Sequence, residues 1–266
     1  VGDVLTNPGS DRVTSVRRLA QRPVRQRTGR FLVEGPQGVR EAVRCSPERV
    51  VDVYLTGEAM QRYAADIVAP ARAASLWVHE ATPEVIAAMA DADSPQGVVA
   101  VVEHAPAQLA DVLAAEPRCL AFLTNVRDPG NAGTVIRGAD AAGADAVLVS
   151  SSSVDITSPK VVRSTVGSLF HLPVVTGLPI EATIEALRQH GMRTLAADGA
   201  GQRDLPDVDL TGPHCWVLGN EAWGLEQEVR DACDEVVRVP ILGKAESLNL
   251  AMAATVCLYA SAGVLR

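Results

Sequence analysis

Apolar runs and amphipathic stretches alternate along almost the whole chain, and their periods predict the elements. RFLVEG, PQGVREAVRCSP and RVVDVYLTG read as strand, helix and strand, with Pro36 at the first helical turn, where a missing N–H costs nothing. A second helix is predicted over residues 60–69, followed by the strand LWVHEA, a short helix from Pro83 to Met89, and the strand GVVAVVEH. The proline-flanked APAQLADVLAAEPR reads as a helical connector. Beyond it the pattern repeats as strand CLAFLT, a helix from Ala132, strand AVLVS, a helix over 159–168, and strand LPVVT. A helix over 180–190, strands TLAAD and CWVLGN, a helix over 225–233, strand VVRVPI and a final helix from Leu248 complete it. Such alternation predicts an α/β fold built on a mostly parallel sheet covered on both faces. Ligands in such sheets bind beyond the carboxyl ends of the strands, which here lead into ADGAG, GNEAWG and LGKAES.

Composition sharpens this picture. A chain of 266 residues that is 47% hydrophobic can bury two ordinary cores. The expected division is a basic arm at 1–28, an α/β substrate domain at 29–105, a linker at 106–117 and a second domain at 118–266. No apolar run is long enough for a membrane span, and VGDVLTNPGSDR lacks the features of a secretion signal, so a soluble, cytoplasmic protein is expected. The five cysteines are scattered without a C-x-x-C pair, and the histidines show no H-x-x-x-H spacing. Buried, reduced thiols and no metal are the expectation.

The net charge of −8 hides a strong asymmetry, because Arg12, Arg17, Arg18, Arg22, Arg25, Arg27 and Arg30 follow one another with no acid between Asp11 and Glu34. Such a tract suits phosphate backbones; the bland alternative is a solvated leader.

Three segments carry candidate chemistry. In NVRDPGNAGTVIRGADAAGADAVLV the turn Asp128-Pro129-Gly130 leads into a helix that Asn131 is suited to cap. Arg137 falls off the stripe formed by Val135, Ile136, Ala139 and Ala142; it faces either a ligand or merely Asp140. In LGNEAWGL, Gly219 follows an apolar strand and permits close backbone approach, while Glu221 is either solvated or holding something. In VPILGKAESLNLAMAA, Ser247 or Asn249 can cap a helix that is apolar all round and therefore expected to be buried on every side, as a core or a subunit-interface helix.

Together, in this order, these segments resemble the TrmH/SpoU-type ribose 2′-O-methyltransferases of the SPOUT superfamily. The matching positions are Asn131 and Arg137, then Gly219-Asn220-Glu221, then Ser247-Leu248-Asn249. The resemblance implies a trefoil-knotted C-terminal domain, a ribosomal-protein-like (L30e-like) RNA-binding domain before it, a homodimer formed through the C-terminal domain, and S-adenosylmethionine as methyl donor. It implies catalytic roles for Asn131, Arg137, Glu221, Ser247 and Asn249. Cofactor contacts are implied at Leu195, Ala196, Ala197, Asp198, Gly199, Leu218, Gly219, Asn220, Val239, Ile241, Leu242 and Leu248. RNA contacts are expected at Arg17, Arg18, Arg22, Arg25, Arg27 and Arg30, and, from the family-like run SPKVVRSTVGSLFHLPV, at Lys160 and Arg163, with Ser164 a further candidate. The implied substrate is 23S ribosomal RNA; transfer RNA methylation and an inactive RNA-binding or assembly protein are the alternatives. A dinucleotide-dependent oxidoreductase is disfavoured by the absence of a first-turn G-x-G-x-x-G and its partner acid.

Overall fold

The computed structural model describes residues 3–265, which divide into two compact units. Unit 1 comprises residues Val1–Ala105 together with Asp155–His171, and unit 2 comprises Pro106–Val154 and Leu172–Arg266.

In unit 1, α1 (Asp11–Arg17) and α2 (Arg22–Thr28) precede β1 (Arg30–Glu34), α3 (Pro36–Cys45) and β2 (Val50–Thr56). The helices α4 (Gly57–Arg62) and α5 (Ala69–Ala73), β3 (Trp77–Ala81), α6 (Pro83–Met89) and β4 (Val98–Glu103) follow. The sheet order is β1-β4-β2-β3, antiparallel except for β2 with β3. The arginine-rich stretch is not a detached leader. Val13, Val16, Leu19 and Val24 recur at helical spacing and are buried with Leu32, Tyr54, Ile86 and Val101. Ser10 caps α1 by accepting from the Val13 amide, and Gly29 ends α2 in the left-handed conformation.

Unit 2 begins with α7 (Leu109–Ala114), β5 (Cys119–Leu123), α8 (Pro129–Ala142) and β6 (Ala146–Ser150). The chain then contributes α9 (Pro159–Thr165) to unit 1 and resumes with β7 (Val174–Leu178), α10 (Ile180–Gln189), β8 (Arg193–Ala197) and the two-residue β9 (Arg203–Asp204). It closes with β10 (His214–Leu218), α11 (Gln227–Ala232), β11 (Glu235–Arg238) and α12 (Leu250–Leu265). The seven strands run in the order β7-β6-β5-β10-β8-β11-β9, and every recorded pairing is parallel. The expected connector at 106–117 is part of this unit, because Val112 and Leu113 of α7 are buried with Leu120, Phe122 and Val217.

Helix α12 lies against α8, β5 and β10. The two helices close at Gly138, where an added Cβ would stand 2.9 Å from Thr255 Oγ1. A fully buried Ser261 hydroxyl ties α12 to the sheet, meeting His214 Nε2 at 2.7 Å and accepting from Trp216 Nε1 at 2.9 Å. Burial on every side was expected for this helix. Within one chain Ala251, Ala254, Cys257 and Leu258 are buried, while Met252, Val256, Tyr259 and Val264 are exposed, so this is not a helix enclosed by its own chain. Cysteines divide likewise: Cys119, Cys215 and Cys257 are buried, and burial pushes the Cys119 thiol up to about 11, whereas Cys45 is exposed. Among the described residues no helix is long and apolar enough to cross a membrane.

Candidate active site

Strands β10, β8 and β11 are parallel neighbours, so their carboxyl ends open at one edge of the sheet. The loops that follow them enclose a pocket of about 330 Å³. Its walls include Ala197, Asp198 and Gly199 after β8, Gly219, Asn220 and Glu221 after β10, and Val239, Ile241, Ser247 and Leu248 after β11. Apolar carbon from Leu250 and Ala253 and charged groups from Arg238 and Glu246 complete them.

The second loop folds back on itself through reciprocal backbone bonds between Asn220 and Gly224, at 2.8 and 2.9 Å. Glycine at 219 is required by that fold, since a Cβ there would lie 2.4 Å from Gly224 backbone. Asp198 braces the same loop: Oδ2 accepts from the Leu225 amide at 3.0 Å and lies 3.6 Å from Arg230, which itself donates to Leu225 O at 2.6 Å.

Side chain to backbone bonds then join the second loop to the first. Asn220 Nδ2 donates to Asn125 O at 2.7 Å, and the Glu221 carboxylate accepts from the amides of Asp128 at 3.1 Å and Arg127 at 3.4 Å. Glu221 is therefore holding something, and what it holds is the start of α8. The cap of that helix is Asp128 rather than Asn131, with Oδ1 accepting from the Asn131 amide at 2.7 Å. Aspartate caps as well as asparagine does, and here it stands directly before a proline at the first helical position. Freed from capping, Asn131 accepts through Oδ1 from Asn249 Nδ2 at 3.0 Å. Asn249 in turn accepts from the Ala251 amide at 2.9 Å at the start of α12. Between the two capping candidates the structure thus chooses Asn249, while Ser247 lines the pocket.

Of the five expected catalytic residues, Glu221 and Ser247 line the pocket and Asn131 and Asn249 are bonded to each other outside its walls, while Arg137 is neither a wall nor part of these bonds. Six residues beyond Asn131 it sits about 120° around the helix and about 9 Å along it. There it is exposed on the outer face of α8, with Thr134 and Ala141. Of the expected cofactor contacts, Leu195, Ala196 and Leu218 have fully buried side chains within their strands and can offer only backbone. Leu242 is 95% exposed and lies outside the pocket, because the turn at Gly243 carries it outward. Sequence reading assigned Asp128 only a turn role and Arg230 and Arg238 none; Asp128 alone carried a local signal, the D-P pair that starts a helix.

In unit 1, Arg17, Arg18, Arg22, Arg27, Arg30 and Lys160 are exposed. Arg25 is the exception and corrects its expected role as an RNA contact. Its guanidinium is buried, pairs with Asp155 at 2.7 Å, and donates to Thr157 Oγ1 and to the carbonyls of Leu19 and Ala20. Arg163 is partly buried and pairs with Glu34 at 3.1 Å and Asp91 at 3.0 Å, and Ser164 donates to Lys160 O. Those two side chains are engaged within their own unit.

Comparison with known proteins identifies the family. Residues 118–259 match the SpoU rRNA Methylase family, and residues 10–100 match an MRM3-like substrate binding domain. A 23S rRNA (uridine(2479)-2′-O)-methyltransferase of Streptomyces viridochromogenes is 34% identical over 248 residues, covering 91% of this chain and 85% of that one. A 23S rRNA (guanosine(2553)-2′-O)-methyltransferase of Bacillus subtilis is 31% identical, covering 94% and 95%. The solved AdoMet-bound rRNA methyltransferase from Sinorhizobium meliloti superposes with a TM-score of 0.85 at 31% identity over 97% of each chain. With three hydrogen-bonded loops closing on one pocket at the sheet edge, and with these matches spanning both units, the chain belongs to the SpoU rRNA methylase family.

Proposed function

We propose that the protein transfers a methyl group from S-adenosylmethionine to a ribose 2′-hydroxyl of 23S ribosomal RNA. The observation that carries this reading is the bonded path from Glu221 through the start of α8 to Asn131 and Asn249, which ties three separated segments together, two of them lining one pocket. The pocket fits such a donor in kind. It falls at the lower end of the roughly 300–1,000 Å³ of small-molecule sites. Val239, Ile241, Leu248 and Ala253 offer an apolar bed for a flat base, loop backbone at Gly199 and Gly219 is open to close approach, and the Glu246 carboxylate suits a cationic ligand. Asp198 and Glu221 hold the loops and keep that bed in shape.

The bound donor supplies an already activated methyl. The chain's own residues have only to orient the sugar hydroxyl, exclude water and stabilise charge growing on its oxygen. Asn131 and Asn249, fixed by each other, set geometry. Arg137 serves as the electrostatic and phosphate-binding group; a guanidinium with a pKa above about 12 is a poor base, and the proton leaves to water or phosphate. Because Arg137 and the apolar face of α12 are both exposed in one chain, we read the active unit as a homodimer that covers Met252, Val256 and Tyr259. The names of the relatives support ribosomal RNA as substrate and, with it, a cytoplasmic enzyme. A knotted C-terminal path is carried over from the family resemblance.

Incubation with methyl-labelled S-adenosylmethionine and total RNA tests the reading. Label in ribose-methylated 23S RNA is expected. Label confined to transfer RNA, or none despite calorimetric uptake of the donor, overturns it.

A further inference from the structure

Outside the pocket, one cluster in unit 1 combines three different metal-ligating side chains. Glu41 and Cys45 stand four residues apart on α3, so they share one face of the helix. His171 closes the short helical turn at the end of the segment Asp155–His171 and faces the same spot. One carboxylate oxygen, one thiol sulfur and one imidazole nitrogen all lie within 4.8 Å of one another. We propose that Glu41, Cys45 and His171 form a binding site for a zinc-class divalent cation, which fastens the 155–171 segment to α3.

Geometry and chemistry carry this inference together. Two ligands each about 2.0 Å from a tetrahedral zinc stand about 3.3 Å apart, and an oxygen and a thiolate about 3.5 Å apart. His171 Nε2 lies 3.3 Å from Glu41 Oε2, and Cys45 Sγ lies 3.9 Å from the same oxygen. Both pairs that share Glu41 Oε2 are thus within a few tenths of an ångström of coordination separation, and the cysteine and histidine atoms lie within 4.8 Å of each other. Arg40 engages the other carboxylate oxygen, Oε1, at 2.9 Å, which fixes the orientation that directs Oε2 at the cysteine and histidine. The approach is tight by construction. Gly167, with φ of 98°, brings its backbone so close that a Cβ would fall 2.6 Å from Glu41 Cγ. Mixed sulfur, nitrogen and oxygen donors select zinc or cobalt over magnesium or calcium, which prefer oxygen alone. Cys45 and His171 are exposed, so an ion has a path in and a fourth position open to water.

Cobalt(II) is the probe, because its bond to a thiolate gives a charge-transfer band in the near ultraviolet. Full-length protein, stripped with chelator and kept reduced, is titrated with cobalt. The expected result is a band that saturates at one equivalent, disappears on adding zinc, and is lost in both Cys45→Ser and His171→Ala. Zinc should also raise the melting temperature of the wild type and leave that of Cys45→Ser unchanged. Each variant is first checked for a native circular dichroism spectrum, and Arg44→Ala, an exposed position on the same helix that keeps the site intact, serves as a folded control that retains the band. Absence of a thiolate band in the wild type, or a band undiminished in Cys45→Ser, overturns the site.

Discussion

Two regions rich in charge use it in opposite ways. At the pocket of unit 2, Glu221, Asp198 and Asp128 direct their carboxylates at backbone amides, and the charge is consumed in building loops. From α1 to the end of α2 in unit 1, Arg17, Arg18, Arg22 and Arg27 are exposed, Arg12 meets the His79 ring, and Arg25 is absorbed into the structure. A charged residue beside an active site is therefore no better a guide to ligand contact than a charged residue on a surface. What distinguishes the two is whether a nearby backbone group needs a partner.

That contrast can be broken by substitution. The largest effect is expected at Arg137, exposed yet assigned to chemistry. Arg137→Ala should lower kcat by about a hundredfold or more while calorimetric binding of S-adenosylmethionine stays within error. Equal loss of both would place it with the builders instead. Next comes Arg25→Ala, which leaves the Asp155 carboxylate without its counter-ion and should cost about 3 kcal/mol in denaturant unfolding. By contrast Arg22→Ala, in the same helix, should stay within about 0.5 kcal/mol.

Acid should report on the same buried pair. Burial alone would raise the Asp155 carboxyl, but bonds from Thr157 and Arg25 outweigh it and hold the group below its ordinary 3.8. The stability it contributes is complete above 3.8 and is lost as pH falls through the lower folded value. Wild-type protein should therefore lose stability in that acid range more steeply than Asp155→Asn, as followed by unfolding at successive pH values. Smallest are the single exposed arginines. Removing Arg17, Arg18, Arg22 or Arg27 should each reduce the salt slope of RNA binding by about one unit, with stability unchanged. An unchanged slope would make the stretch scaffold rather than binding surface.

Much of the fold was legible because its strands are short, mostly apolar runs: CLAFL, AVLVS and HCWVL are buried along their full length. Periodicity missed α1 and α2, where buried valines at 13, 16 and 24 are outnumbered by arginines, and it missed the two-residue β9. At the site, the types and order of the motifs located the pocket, since β-strand ends have only one edge of the sheet to open onto. Helix caps were harder. Asp128 and Asn131 are chemically equivalent caps, and only the backbone decides between them. Least legible were pairings across long separations. Nothing near Arg25 in the sequence announces Asp155, and nothing in a spacing rule joins Cys45 to His171.

The Ser261 hydroxyl gives the protein an internal reporter. The indole of Trp216, wholly shielded and bonded to that hydroxyl, should emit at short wavelength for as long as α12 is seated. Trp77 and Trp223, at 72% and 54% exposure, supply a constant red-shifted background. The colour of one tryptophan would therefore report whether the final helix is docked.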